Sequence, residues 1–244
     1  MTRPVKDLEP GSVYVTMSIS RSSEGGAMLP IYGRNPSTYC EVDIATYETH
    51  CAQDLAREEF NWGLYFHRGD QDGIWYNLRR HDDLKRGPCP TIFDLDRKHV
   101  TASPRLEGQV VGLIRVLRVP QILCGELTWY LDWLAWESYV TAARTFIWVT
   151  SMYLRTWHHI IRMLNNPSLA YGSQFNVNLF LREALDFAYE NADYATGGQL
   201  PRPIIKSAYG TELGISGEDG INESLLLAQQ RGSAQPKPIS HPSS

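Results

Sequence analysis

Four polar side chains on two adjacent apolar runs are the strongest candidates for chemistry. The first run is Phe60-Asn61-Trp62-Gly63-Leu64-Tyr65-Phe66-His67 and the second is Ile74-Trp75-Tyr76-Asn77-Leu78-Arg79. Alternation predicts a strand with Phe60, Trp62, Leu64 and Phe66 on one side and Asn61, Gly63, Tyr65 and His67 on the other. Asp70-Gln71-Asp72-Gly73 joins the runs as a hairpin turn, because Asp and Gly tolerate positive φ. Asn61 and Asn77 have the amide groups to orient a substrate carbonyl, and equally suit strand ends or turns. Tyr65 shares the Asn61 face, where a buried phenol can donate to a developing oxyanion or simply pack. His67, close in sequence to Asp70 and Asp72, has the composition of a general base or of a solvated turn.

Aromatic residues supply a second set of candidates. Trp129, Trp133 and Trp136 stand about one helical turn apart, and Trp157 follows. They suit the wall of an apolar ligand pocket, a core, or a subunit seam of coiled-coil type. Between Thr128 and Leu164 there is no Gly and no Pro. Trp129, Trp133, Trp136, Val140, Ala143, Ile147, Thr150, Leu154, Trp157, Ile161 and Leu164 recur in steps of four and three, which predicts one stripe on one helix face. A single helix of that length would run about 50 Å. It must therefore bend or break without a Pro, or project and pair with another chain. Asn165-Asn166-Pro167 stops it. A later helix starts near Ser173 to Asn176, where Ser and Asn make good caps, with Val177, Phe180, Leu181, Ala184, Leu185 and Ala188 as its buried stripe. Tyr171, Asn176 and Asn178 flank that start, where free N–H groups favour a negative ligand atom. Trp129, Trp133, Trp136, Tyr171, Asn176 and Asn178 thus form the expected substrate-contacting set. His158 and His159 are adjacent and do not share a helix face, which argues against a two-His metal site.

The positions that must hold these groups read as one α+β domain over residues 1–228, with a Pro- and Ser-rich tail over 229–244 expected to be disordered. A further strand is expected over Val13 to Ser20 and another over Gln109 to Arg118, with a surface helix near 44–58 and a short helix near 222–230. Arg80 to Pro104 reads as an irregular polar excursion, and the pattern dissolves after Gly197. The chain has 244 residues, 43% of them hydrophobic, and a formal charge of −4. No basic face points to nucleic acid. The four cysteines (Cys40, Cys51, Cys89, Cys124) lack C-x-x-C spacing, which fits a reducing, cytoplasmic setting and predicts no metal. Only ten residues separate Arg144 from Arg155, too few for a membrane span. No phosphate loop or dinucleotide fingerprint occurs, so no cofactor is expected.

The order of these motifs resembles small fungal domains of uncharacterised function that are related to circularly permuted papain-like thiol hydrolases. The resemblance rests on Asn61-Trp62-Gly63-Leu64-Tyr65, Gly73-Ile74-Trp75-Tyr76-Asn77, Val110 to Val119, and Asn176-Val177-Asn178-Leu179-Phe180-Leu181. It covers roughly half of the chain. It implies a small, mostly antiparallel sheet packed against the late helix and the Trp-rich segment. It also implies that Asn61 takes the place of the catalytic histidine, that Val177 takes the place of the cysteine, and that both edge one cleft. Neither side chain can perform thiolate chemistry. The expected function is therefore a cofactor-independent enzyme that cyclises, isomerises or eliminates on an apolar small molecule, as in specialised metabolism. Asn61, Asn77, Tyr65 and His67 would do its chemistry. One alternative is a non-catalytic binding protein or homodimeric scaffold on the same fold. Another is a thiol hydrolase with a relocated cysteine, Cys124 or Cys89.

Overall fold

The computed structural model describes residues 3–4, 8–19, 60–69, 72–80, 93–100, 110–142, 144–164, 175–197 and 201–212. Seven strands form one sheet: β1 (Arg3–Pro4), β2 (Ser12–Ile19), β3 (Phe60–Gly69), β4 (Asp72–Arg80), β5 (Phe93–Val100), β6 (Val110–Arg118) and β7 (Ile204–Glu212). Their order is β1-β7-β6-β2-β3-β4-β5. Only the β6–β7 pair is parallel; the other five pairs are antiparallel. Four helices complete the described fold: α1 (Cys124–Ser138), α2 (Thr145–Leu164), α3 (Val177–Glu190) and α4 (Ala192–Gly197). The architecture is α+β, with a mostly antiparallel sheet packed on the helical segments.

Alternation decides what each strand buries. Val13, Val15, Met17 and Ile19 of β2, Phe60, Trp62, Leu64 and Phe66 of β3, and Ile74, Tyr76 and Leu78 of β4 join one core cluster. Leu127, Leu131 and Leu134 of α1, Val149 and Met152 of α2, and Phe180, Ala184 and Phe187 of α3 complete that cluster from the helical side. Each fully buried Leu or Phe stabilises by roughly 1.5–3 kcal/mol, so this layer dominates the hydrophobic energy. The residues of opposite parity form a second, smaller cluster of Tyr14, Tyr65, Trp75, Val110 and Leu113, to which no helical residue among those described belongs.

Several expectations are met and others corrected. The 60–79 hairpin, the strand before residue 20, the strand over 110–118 and the helix from Val177 are all present. Two strands went unread. β5 carries Asp94, Asp96, Arg97 and Lys98 and so looked like surface loop, yet it pairs with β4 residue for residue. β7 lies beyond Gly197, where Gly and Pro obscured the period, and pairs in parallel with β6. The expected surface helix near 44–58, the short helix near 222–230 and the tail lie outside the described residues.

The long helical segment breaks. A 3-10 turn over Tyr139–Thr141 and an extended Ala142 (ψ 116°) separate α1 from α2. Ser138 Oγ donates to the Leu134 carbonyl at 2.7 Å and accepts the Trp148 indole N–H at 2.8 Å. Such back-bonding competes with helix continuation. α2 then returns antiparallel along α1, as the Glu137–Arg155 ion pair (2.6 Å) and the stacked rings of Tyr130 and His159 (3.8 Å) require. The break also re-phases the stripe. Trp129, Trp133, Trp136, Val140 and Ile147 face outward, whereas Thr150, Trp157 and Ile161 are buried. The expectation of one continuous face is corrected to two.

One polar contact pins α1 to the sheet. The Asp132 carboxylate accepts from Arg97 Nε (2.6 Å) and Nη2 (2.8 Å) of β5 and from the Tyr76 hydroxyl (2.8 Å) of β4. A bidentate guanidinium with a third donor is among the stronger arrangements available to a carboxylate. Replacing Asp132 with Ala strands the buried Tyr76 hydroxyl, and about 1–3 kcal/mol of stability is expected to be lost in urea unfolding. A double-mutant cycle with Arg97→Ala should return a coupling above about 0.5 kcal/mol. Simple additivity would mean the contact does not hold the helix.

Candidate functional site

The face of the sheet away from the helices collects the residues that sequence singled out for chemistry. Asn61, Gly63, Tyr65 and His67 alternate with the core residues of β3, and Gly73, Trp75 and Asn77 do so on β4. Ser12, Tyr14 and Thr16 of β2 continue the band, in register with His67, Tyr65 and Gly63. Burial is deep: Tyr14, Tyr65, Thr16, Trp75, His67 and Asn77 are all buried.

Two glycines make this face possible. Trp75 of β4 lies across β3 and donates its indole N–H to Thr16 Oγ1 of β2 at 3.1 Å. A Cβ on Gly63, directly beneath, would sit 2.8 Å from that hydroxyl and 2.9 Å from the indole nitrogen. Likewise Tyr65 leans over Gly73, where a Cβ would come within 2.5 Å of its ring carbon Cζ. The Tyr65 hydroxyl meets His67 Nδ1 at 3.1 Å, and the Tyr14 and Tyr65 rings lie 6.2 Å apart. At the end of the band the Glu9 carboxylate pairs with Arg115, itself buried, and with Arg118 at 3.0 Å. The Tyr14 hydroxyl accepts the Glu9 backbone N–H at 2.8 Å.

The four candidate catalytic residues form two pairs rather than one centre. Asn61 Nδ2 donates to Asn77 Oδ1 at 3.1 Å, so the amides bond one another. Tyr65 and His67 form the other pair. Asn61 and His67 are six residues apart on one strand, roughly 20 Å, with the Trp75–Thr16 bond between the pairs. Burial pushes the Tyr65 phenol well above its ordinary value. It therefore stays protonated and can donate to Nδ1, which leaves the imidazole proton on Nε2. That arrangement suits a fixed phenol donor, not a phenolate base.

The remaining candidates lie elsewhere. Trp129, Trp133 and Trp136 are exposed on the outer face of α1, whose opposite side packs on the helical layer, so they share no wall with Asn61 or Tyr65. Asn176 is the N-cap of α3 and its Oδ1 accepts the Leu179 N–H at 3.0 Å. Asn178 is exposed on the first turn, and Tyr171 lies outside the described residues. Val177 packs against the helix-side cluster, whereas Asn61 points to the other face. The shared Asn61–Val177 cleft that the resemblance implies is therefore corrected: strand parity places the two on opposite sides of the sheet. Cys124 is buried, and that burial pushes its thiol upward, away from a reactive thiolate. Cys89 lies outside the described residues. Sequence reading missed Thr16, Trp75, Tyr14 and the Glu9–Arg115 pair. Trp75 shares parity with Asn77, and Arg115 is the one charge inside an apolar run, so both left a signal.

Among the described residues no three His, Cys, Asp or Glu side chains gather as for a metal ion, and no helix is long and apolar enough to cross a membrane. Comparison with protein-family models, curated proteins and solved structures finds no match for the chain.

Two expectations follow from this face. Gly73→Ala should destabilise by about 1–3 kcal/mol through overpacking against Tyr65, whereas Gly69→Ala, with nothing within 4 Å, should change stability by less than about 0.5 kcal/mol. Equal urea midpoints for the two would remove the close approach. The second concerns alkali. Burial, the largest cause in each case, raises the hydroxyls of Tyr14, Tyr65 and Tyr76 above the ordinary 10.0. The unfolded chain then releases protons that the folded chain keeps. Stability is complete below that ordinary value and falls as pH rises past it, by up to about 1.4 kcal/mol per pH unit for each phenol. Tyr65→Phe should flatten the slope by roughly one third, measured by unfolding at graded alkaline pH.

Proposed function

We propose that the chain is a non-catalytic binding module and that its working surface is the outer face of α1. The observation that carries this reading is the exposure of Trp129, Trp133 and Trp136, at 60%, 44% and 59%. Ile122, Val140 and Ile147 are exposed as well. Three indoles so exposed present on the order of 300–400 Å² of apolar surface, about the largest patch that a monomer ordinarily shows and one usually tied to recognition. Leu127, Leu131 and Leu134 on the inner side and the Asp132 contact hold the face in place. Arg155 lies over the Trp133 ring, 5.7 Å from its centroid, and Trp136 meets Tyr139 edge-on at 5.6 Å.

The cofactor-free enzyme expected from the sequence has less support. It needs Asn61, Asn77, Tyr65, His67 and the tryptophans around one substrate, and these positions do not converge. A relocated thiol nucleophile has less support still: among the described residues the Cys124 sulfur has the Pro120 carbonyl and the Gln121 amide as its hydrogen-bond neighbours.

A recognition surface carries function without carrying the fold. The double variant Trp129→Ser, Trp136→Ser is therefore expected to unfold within about 1 kcal/mol of the wild type while losing binding of an apolar fluorescent probe such as bis-ANS. A loss of several kcal/mol would make these tryptophans core residues and end the reading.

A further inference from the structure

We infer that the occupant of this face is a second copy of the same chain, with the two α1 helices antiparallel across a two-fold axis between Trp129 and Trp133. The inference rests on the reading of α1 as a docking surface and adds what docks there.

The spacing of the exposed residues supports it first. Ile122, Trp129 and Trp136 recur every seven residues, and Glu126, Trp133 and Val140 form a second series of seven, displaced by four. Within α1, Glu126, Trp129, Trp133 and Trp136 hold the two positions of a heptad seam, which pairs with another helix of the same period, and Ile122 and Val140 lie in the 3-10 turns at its two ends. The seam runs outward, away from the Leu127–Leu131–Leu134 stripe that already has its partner in the core. α1 is apolar on two faces, and among the described residues the core takes up the Leu127–Leu131–Leu134 face.

Area points the same way. With Ile122 and Val140 added to the indoles, each copy offers roughly 450–550 Å² of apolar surface. Two copies would bury on the order of 1,000 Å², the lower limit for a specific interface. An isologous contact reaches that limit with this face alone.

Charge selects the partner and the direction. α1 contains Glu126, Asp132 and Glu137 and no Lys or Arg. Asp132 is bound to Arg97, Glu137 is paired with Arg155, and the Glu126 carboxylate lies 3.5 Å from His159 Nε2. α1 itself supplies no basic flank of the kind that interfacial helices use on anionic lipid, and Arg155 beside Trp133 is already paired with Glu137. Parallel pairing would place Glu126 against Glu126 of the second copy, inside an apolar seam. Antiparallel pairing about the stated axis instead sets Ile122 level with Val140 of the second copy, Trp129 with Trp133, and Glu126 with Trp136. No acid then faces another.

The test is sedimentation equilibrium of the full chain across a concentration series. The wild type is expected to form a dimer. Trp133→Glu should be monomeric with unchanged circular dichroism and thermal unfolding. Register is read from Trp136, which faces Glu126 in the antiparallel arrangement. Trp136→Lys should dimerise at least about tenfold more tightly than Trp136→Glu, whereas a parallel seam would weaken equally with either charge. A wild type that stays monomeric at its solubility limit overturns the inference, as does a dimer that survives Trp133→Glu, or equal affinities for the two Trp136 variants. Binding to phosphatidylcholine vesicles by a monomeric wild type would also overturn it, in favour of a lipid surface. In any of these cases the docking face itself stands, provided that the Trp129→Ser, Trp136→Ser variant keeps its stability and loses the probe.

Discussion

Strand parity governs this molecule. β2, β3 and β4 are buried on both faces, yet each keeps a strict alternation of large apolar residues with mixed polar and aromatic ones. A one-residue slip would drive Asn61, His67 and Thr16 into the helical core and bring Trp62 and Phe66 to the opposite face, and unpaired polar groups in that core would each cost several kcal/mol. Register is thereby set without reliance on the turn. The same constraint decides the chemistry. Because Asn61 is odd where Phe60 and Trp62 are helix-facing, it cannot meet Val177, whatever the order of motifs along the chain implies.

Each face of the sheet then solves a different packing problem. The helix side is filled by ordinary large residues in contact with α1, α2 and α3. The other side must accommodate two wide rings, Trp75 and Tyr65, on adjacent strands. It does so by placing glycine where each ring crosses a neighbouring strand. The hydrogen bonds that follow, indole to Thr16 and phenol to His67, satisfy polar groups that burial would otherwise penalise. This accounts for Thr16 and His67 as partners of the rings. Glu183 does comparable work on the helical side, where its carboxylate accepts the Ala208 N–H at 2.8 Å and the Ser207 hydroxyl and so ties α3 to β7.

What the sequence disclosed, and what it concealed, follows from these interactions. The hairpin, its two faces and the Asn176 cap were legible because period and capping are local. β5 was not, because its charges are spent on partners distant in sequence: Asp96 with Arg79 at 2.7 Å, and Arg97 with Asp132 at 2.6 Å. Charge reads as loop until its partner is known. β7 was hidden because a parallel neighbour of β6 needs no adjacent hairpin to announce it. The helical break at Tyr139–Thr141 contains neither Gly nor Pro, so nothing in composition marks it; it is held by the Trp148–Ser138 bond and by the packing of α2 back along α1. The candidate site was half legible. Both pairs, Asn61–Asn77 and Tyr65–His67, were named, but the Trp75–Thr16 bond that separates them spans three strands and has no signature along the chain.

The exposed tryptophans pose a last question of rigidity. An indole in water gains nothing from burial, and a flexible one would pay side-chain entropy on docking, about 0.5–1.5 kcal/mol for each immobilised group. Here the ordering is already done. Trp133 is held between Tyr130, 5.6 Å away, and the guanidinium of Arg155. Arg155 is in turn fixed by Glu137, and Trp136 is braced by Tyr139. Tyr130 stacks on His159 and donates to the Arg155 carbonyl at 3.3 Å. The outer face of α1 is thus pre-organised by a chain of contacts that runs into α2 and, through Asp132, into the sheet. A surface kept so apolar and so ordered needs less binding energy to be converted into an interface, which is why a contact near the lower limit of area can still be specific.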